Sequence, residues 1–211
     1  MATTAWKRSR KTNYRLAQGV TPLVVLLLLV AGWWWADSWQ YDRSALQAGE
    51  YWRWLSAHLA HGTPAHGLSN AVAVLLAALL APLWMNRWPG LLLAAGLMAG
   101  VSAGIWFNND DIDIYRGFSG VGHGWLMVAF AWSPWLGVWP RFAIVVAILL
   151  KVVWEDSGMA MAAQFSGYFA DAPVLIDAHW YGALLAVPVA LLAFIAYYLR
   201  ERMLPRASSR F

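Results

Sequence analysis

Ser119 lies in the run Gly117-Phe118-Ser119-Gly120, and His179 lies in a second run, Asp177-Ala178-His179, far downstream. Each run opens an apolar, glycine-dotted stretch. A hydroxyl and an imidazole carried at the starts of two helices can meet inside a bundle, where a ring nitrogen takes the hydroxyl proton as the oxygen attacks a carbonyl carbon. The chain contains no cysteine. Disulfides, thiolate nucleophiles and thiolate metal sites are therefore excluded, and covalent catalysis must use oxygen or nitrogen.

The elements that must hold these residues are membrane helices by composition. Of 211 residues, 61% are hydrophobic and 12% charged, and the mean hydropathy is +0.50, far from the balance of a soluble domain. A spanning helix needs about 20 apolar residues, so the length predicts roughly six spans in one all-α bundle. The 16 tryptophans and eight tyrosines fit this class, because amphipathic rings gather where hydrocarbon meets headgroups. Apolar runs bounded by charge, proline or asparagine cover residues 16–35, 66–83, 90–107, 119–138, 142–154 and 178–199. The first is read as a span and not as a cleaved signal peptide, since Trp33, Trp34 and Trp35 follow it where small residues would mark a cleavage site. Residues 36–65 are too polar to span.

Basic residues set the orientation. Residues 1–15 form a basic N-terminus and residues 200–211 a basic tail, both predicted on the cytoplasmic side of the 16–199 membrane domain. Arg87 and Arg141 join them there, while Arg43, Arg53 and Arg116 fall on the far side with most of the acids. This bias, with anionic headgroups as its counterpart, accounts for the net charge of +4, so no nucleic-acid partner is needed. No P-loop or dinucleotide fingerprint occurs. The same topology brings the starts of runs two, four and six, with His66, Ser119 and His179, to one side, where polar groups just inside a span imply a wet cavity.

These motifs together resemble the rhomboid family of intramembrane serine proteases over most of residues 50–186. Trp52-Arg53 precedes a histidine-rich segment with His61, His66-x-x-x-Asn70 opens the second run, Gly117-Phe118-Ser119-Gly120 is the GxSG of the fourth, and Ala178-His179 with Gly182 and Ala186 marks the sixth. The resemblance implies a six-helix fold with Ser119 as nucleophile, His179 as base and no cofactor. His66 and Asn70, at i and i+4, share a helical face and can aim donors at an oxyanion. The backbone N–H groups of Ser119 and Phe118 can complete that hole at a helix N-terminus. No acid is assigned behind His179, because Asp177 lies on a different helical face. Gly117, Gly120, Gly122 and Gly124 are predicted to face Gly182, Ala183 and Ala186 and to let two backbones approach closely.

Each residue also has a plainer reading. Ser119 can bond back to its own helix, and Asn70 can join helices with His66 as its neighbour. His58, His61 and His66 can be weighed as zinc ligands, but no carboxylate or further ligand accompanies them, so no metal is assigned. The resemblance makes His61 a buried structural histidine and Arg53 a loop anchor bonding backbone carbonyls, with Trp52 at the interface. His123, one turn after Ser119, departs from the aromatic residue that many rhomboids stack on the base. With Ser119-Gly120-x-x-His123-Gly124 and Asp177-Ala178-His179-x-Tyr181-Gly182, the chain is most similar to the rhombosortase subgroup. The charge bias assigns the outer face, and the compactness of the chain, like that of small bacterial rhomboids, predicts a bacterial inner-membrane protein with its site opening to the periplasmic side. The rhombosortase similarity implies that its substrates would be membrane-anchored proteins with a C-terminal Gly-Gly segment, an apolar span and a basic tail. Lys151 and Glu155, at i and i+4, are read as a pair snorkelling to the interface, with substrate recognition as the alternative. The loop between runs five and six is long enough to cap the site. A catalytically silent binding protein of this fold, or a histidine-based metal carrier, are the rival functions.

Overall fold

The computed structural model describes residues 19–157 and 174–203. The predicted basic N-terminus, most of the capping loop and the end of the basic tail lie outside the described residues. The described chain is mostly helical, with six longer helices: α1 (Val20–Trp34), α5 (Pro64–Leu80), α6 (Trp88–Asn108), α7 (Ser119–Ala131), α8 (Val138–Asp156) and α9 (Ile176–Met203). Between α1 and α5 lie α2 (Ala36–Trp39), α3 (Arg43–Gln47) and α4 (Arg53–Ser56). The one addition to the predicted all-α class is a short antiparallel pair, β1 (Tyr41–Asp42) with β2 (Ile114–Tyr115), in the register Tyr41 opposite Tyr115 and Asp42 opposite Ile114. Of the six helices, α6 and α9 are long and apolar enough to cross a membrane, whereas α1 and α5 are apolar but shorter.

Local chemistry explains where the boundaries differ from the sequence reading. Helix α5 starts two residues early because Pro64 suits a first helical position and the Thr63 hydroxyl accepts the His66 N–H (3.2 Å). It ends at Leu80 because Pro82 forces Ala81 into extended backbone (ψ 153°). Helix α7 stops at Ala131, well short of the predicted 138, ahead of the Ser133-Pro134 break. Helix α8 takes up the difference, beginning at Val138 with Pro140 in its first turn, where the missing N–H costs no helical bond. It is therefore 19 residues long and not the short span predicted.

The connection between α1 and α5 is an ordered scaffold for the segment leading into Ser119. Arg43 donates to the carbonyls of Asn109 (2.8 Å), Ile105 (3.2 Å), Ile112 (3.2 Å) and Trp106 (3.3 Å), closing the C-terminal end of α6. Arg53 does the same for its own loop, donating to Gln40 O (2.8 Å) and Asp37 O (3.3 Å) and pairing with Glu50 (2.7 Å), while Trp52 stays exposed. Gly117 N–H then bonds Ala57 O (3.0 Å), and the buried Tyr115 hydroxyl bonds Gly117 O (2.8 Å). Those two bonds fix the backbone just before α7.

Candidate active site

Ser119 is the first residue of α7, and His179 sits in the first turn of α9. Their side chains meet, with Ser119 Oγ 3.1 Å from His179 Nε2. So short a side chain reaches the ring only because the two backbones nearly touch. A Cβ on Gly182 would lie 1.9 Å from Gly120 O, one on Gly124 would lie 2.3 Å from Gly182 O, and one on Gly120 would lie 2.6 Å from Ala178 O. Ala183 and Ala186 are buried on the same face. Two predicted members of this seam are elsewhere. Gly122 faces the ring of Phe118 on its own helix, at 3.7 Å. Gly117 instead adopts φ +128° beside His66, whose ring a Cβ would meet at 2.5 Å, so both conformation and space require glycine.

The absence of an acid behind His179 is corrected by α8. Glu155, with only 1% of its surface exposed, accepts from His179 Nδ1–H (Oε2, 3.0 Å) and from Lys151 Nζ (Oε1, 2.6 Å). The predicted snorkelling is thus overturned: the C-terminal end of α8 turns the Glu155 carboxylate into the bundle, with the part-exposed Lys151 bonded to it. The available signal was a lysine and a glutamate at i and i+4 on a largely apolar helix, where ionisable groups are costly unless they face a partner inside. Asp177 does point elsewhere, as read, and accepts from Asn109 Nδ2 (2.6 Å).

His123 performs the stacking that the departure from an aromatic residue had put in question. Its ring lies on that of His179, with centroids 4.2 Å apart and planes at 29°. Its Nδ1–H donates to Ser119 O (2.7 Å), and its Nε2 accepts from Lys151 (2.8 Å). These bonds assign one tautomer to each ring. His179 keeps an unprotonated Nε2 facing the serine hydroxyl.

Across from the pair, His66 and Ser119 line a cavity of about 220 Å³ with Tyr115, Arg116 and Leu175. The His66 ring stands edge-on to His61, with centroids 5.0 Å apart. One turn along α5, Asn70 donates from Nδ2 to His61 Nε2 (2.8 Å), and His61 Nδ1–H donates to Leu59 O (2.9 Å). His61 thus orients Asn70 and leaves its second amide hydrogen available. Burial pushes His61 down to about 4, and the nearby His66 adds to that, so it stays neutral in this role. His58 turns away to Ser102 Oγ (3.0 Å), which donates to Trp54 O (2.8 Å). His58 and His61 therefore share no common point, and the weighed zinc pair does not form. The Phe118 side chain is buried against Trp125, and the first backbone bond of the helix runs from Gly122 N–H to Phe118 O (2.7 Å). The earlier N–H groups, Ser119 included, precede that first bond and have no intrahelical acceptor.

Among the described residues, one group has the composition of a metal site: His123, Glu155 and His179, with ligand atoms within 4.8 Å of one another. The Lys151 ammonium already contacts two of the three. No protein-family model matches the chain, and a search of curated proteins found no match.

Proposed function

We propose that the protein is an intramembrane serine protease of the rhomboid type, acting through Ser119 and His179. The observation that carries this reading is the 3.1 Å contact between Ser119 Oγ and a His179 nitrogen whose remote partner is already bonded to a carboxylate. A serine engaged only with its own helix has no need of such a ring. The large apolar side chains left outward on the helices, including Leu27, Leu79, Leu92, Leu150 and Leu192, support a lipid environment. On this reading all six helices sit in the bilayer of a bacterial inner membrane, both termini are cytoplasmic, and the cavity opens outward.

The reaction follows from the positions of the donors. An extended segment of a substrate helix enters the cavity, because an intact helix hides its carbonyl carbons behind intrahelical bonds. Glycine or small residues ease that unwinding. Ser119 attacks and passes its proton to His179 Nε2, which returns it to the leaving amine. The negative oxygen is held by the Ser119 and Phe118 N–H groups, with His66 and Asn70 as side-chain donors. Water from the cavity then hydrolyses the acyl-enzyme. The small 220 Å³ space suits substrates with a Gly-Gly segment next to their span, the chemistry of C-terminal sorting signals.

The reading is tested with a fluorophosphonate probe on the detergent-solubilised protein. Ser119 is labelled, Ser119→Ala is not, and chelators change nothing. Labelling that survives Ser119→Ala, or is lost to a chelator, rejects it in favour of a silent binding protein or a metal carrier. Asn70→Ala slows peptide-bond cleavage about 10²- to 10³-fold, the usual effect of losing one oxyanion donor. Its substrate KM moves far less. A loss confined to KM removes Asn70 from the oxyanion hole.

A further inference from the structure

The Ser119–His179 contact is one end of a longer buried array. Glu155 presents Oε2 to His179 and Oε1 to Lys151, and the same ammonium reaches His123 Nε2. Both charged residues come from α8, whose side chain at Glu155 is fully enclosed. A carboxylate enclosed among apolar helices is costly to assemble and gains little stability of its own, even with Lys151, whose side chain is 35% exposed, as its partner. This one is aimed at the single ring whose charge must change during the proposed reaction.

We propose that Glu155 is the positioning residue of a Ser119–His179–Glu155 triad, and that Lys151, bonded to the other oxygen, fixes the orientation in which the carboxylate faces the base. The proposal rests on the serine protease reading. When the serine proton moves to Nε2, the ring becomes a cation, and the Oε2 carboxylate 3.0 Å away offsets that charge. Before attack, the same oxygen keeps the proton on Nδ1 and the lone pair on Nε2. The stacked His123, with both its nitrogens engaged, blocks rotation of the base. Helix α8 is therefore a component of the catalytic apparatus, and the base is complete only while α8 is seated against α7 and α9.

Lys151 makes the proposal sharply testable. In Glu155→Gln, the ammonium, which has donors only, can bond the amide oxygen and not the amide N–H₂, so the oxygen takes the position 2.6 Å from Nζ. The amide N–H₂ is then left facing His179 Nδ1, which must accept. The ring proton is driven to Nε2, where it cannot receive one from serine. Removing Lys151 as well frees the amide to turn its oxygen back to Nδ1–H.

The experiment measures the rate at which a fluorophosphonate labels Ser119, where an Oγ–P bond forms, fluoride leaves and the serine proton passes to His179. The proteins compared are wild type, Glu155→Gln and Glu155→Gln with Lys151→Met. The single variant is slower by about 10²- to 10⁴-fold, and the double variant recovers at least about tenfold over it. A purely structural role predicts no rescue from a second lesion. A single variant within about threefold of wild type, or a double variant no faster than the single, overturns the proposal. Should Glu155→Gln fail to fold, the double variant, which buries no charge, is compared with wild type: at least about tenfold slower supports the role of the carboxylate, and equality rejects it. Absence of labelling in wild type instead rejects the protease reading, and the triad with it.

Discussion

Replacing His179 by glutamine leaves a folded protein in which, on the proposed protease reading, Ser119 reacts with a fluorophosphonate about 10⁴ to 10⁶ times more slowly, the size of effect that removal of the base has in serine hydrolases. The size of the effect follows from the surroundings. A serine hydroxyl is a weak nucleophile unless a base takes its proton during attack. His123 cannot substitute, because its Nδ1–H is committed to Ser119 O and its Nε2 to Lys151. His66 is packed beside Gly117 and edge-on to His61. Glutamine is preferred over alanine because its amide can donate to Glu155, whereas alanine would strip a buried carboxylate of one partner. The labelling rate, set beside a thermal melt in the same detergent, checks the result. A loss smaller than tenfold in a folded variant would mean that the proton goes elsewhere.

A single added methyl at Gly182 produces the second large effect. Its Cβ would stand 1.9 Å from Gly120 O, a backbone atom that can yield only if α7 and α9 move apart. Overpacking of this kind costs about 1 to 3 kcal/mol. The same shift carries Ser119 away from His179, and about 1 Å of misplacement can cost 10²-fold in rate. Gly182→Ala therefore lowers the labelling rate at least about 10²-fold and lowers the melting temperature. Gly122→Ala is the matched control. Its Cβ meets nothing closer than Phe118 Cδ1 at 3.7 Å, and alanine is favoured over glycine within a helix by about 1 kcal/mol. That variant keeps the rate and holds or raises the melting temperature. Equal behaviour of the two would rule out the glycine seam as the device that brings the pair together.

The contrast between these two glycines shows what can be read from the chain alone. Residue type and order bring out Ser119, His179, His66 and Asn70, because polar groups at the mouths of apolar runs are conspicuous. Helix phase is less legible. Gly120, Gly122 and Gly124 look equivalent in a list, yet successive helical residues turn by about 100°, so only two of them reach α9. Glu155 was hidden for a related reason. Its i, i+4 pairing with Lys151 has the pattern of an exposed helix pair, and only the lean of α8 onto its neighbours shows the carboxylate to be inside. Asp177, the acid nearest in sequence, is instead held by Asn109, which also accepts from the Tyr181 hydroxyl (2.8 Å). Boundaries erred wherever proline acted locally, as at Pro82 and Pro140.

Helix α7 has 13 residues, so at 1.5 Å per residue it is about 20 Å long, against a hydrocarbon thickness of about 30 Å. In the proposed bilayer setting, a helix that ends at one surface starts roughly 10 Å beneath the other. The proposed nucleophile, Ser119, is its first residue. Scissile bonds are then selected by immersion: a peptide bond must sit within about two turns of the outer rim of its own span to come level with Ser119. Sliding a substrate's apolar segment up or down by a few residues would move the cut by the same number, with the membrane itself serving as the ruler.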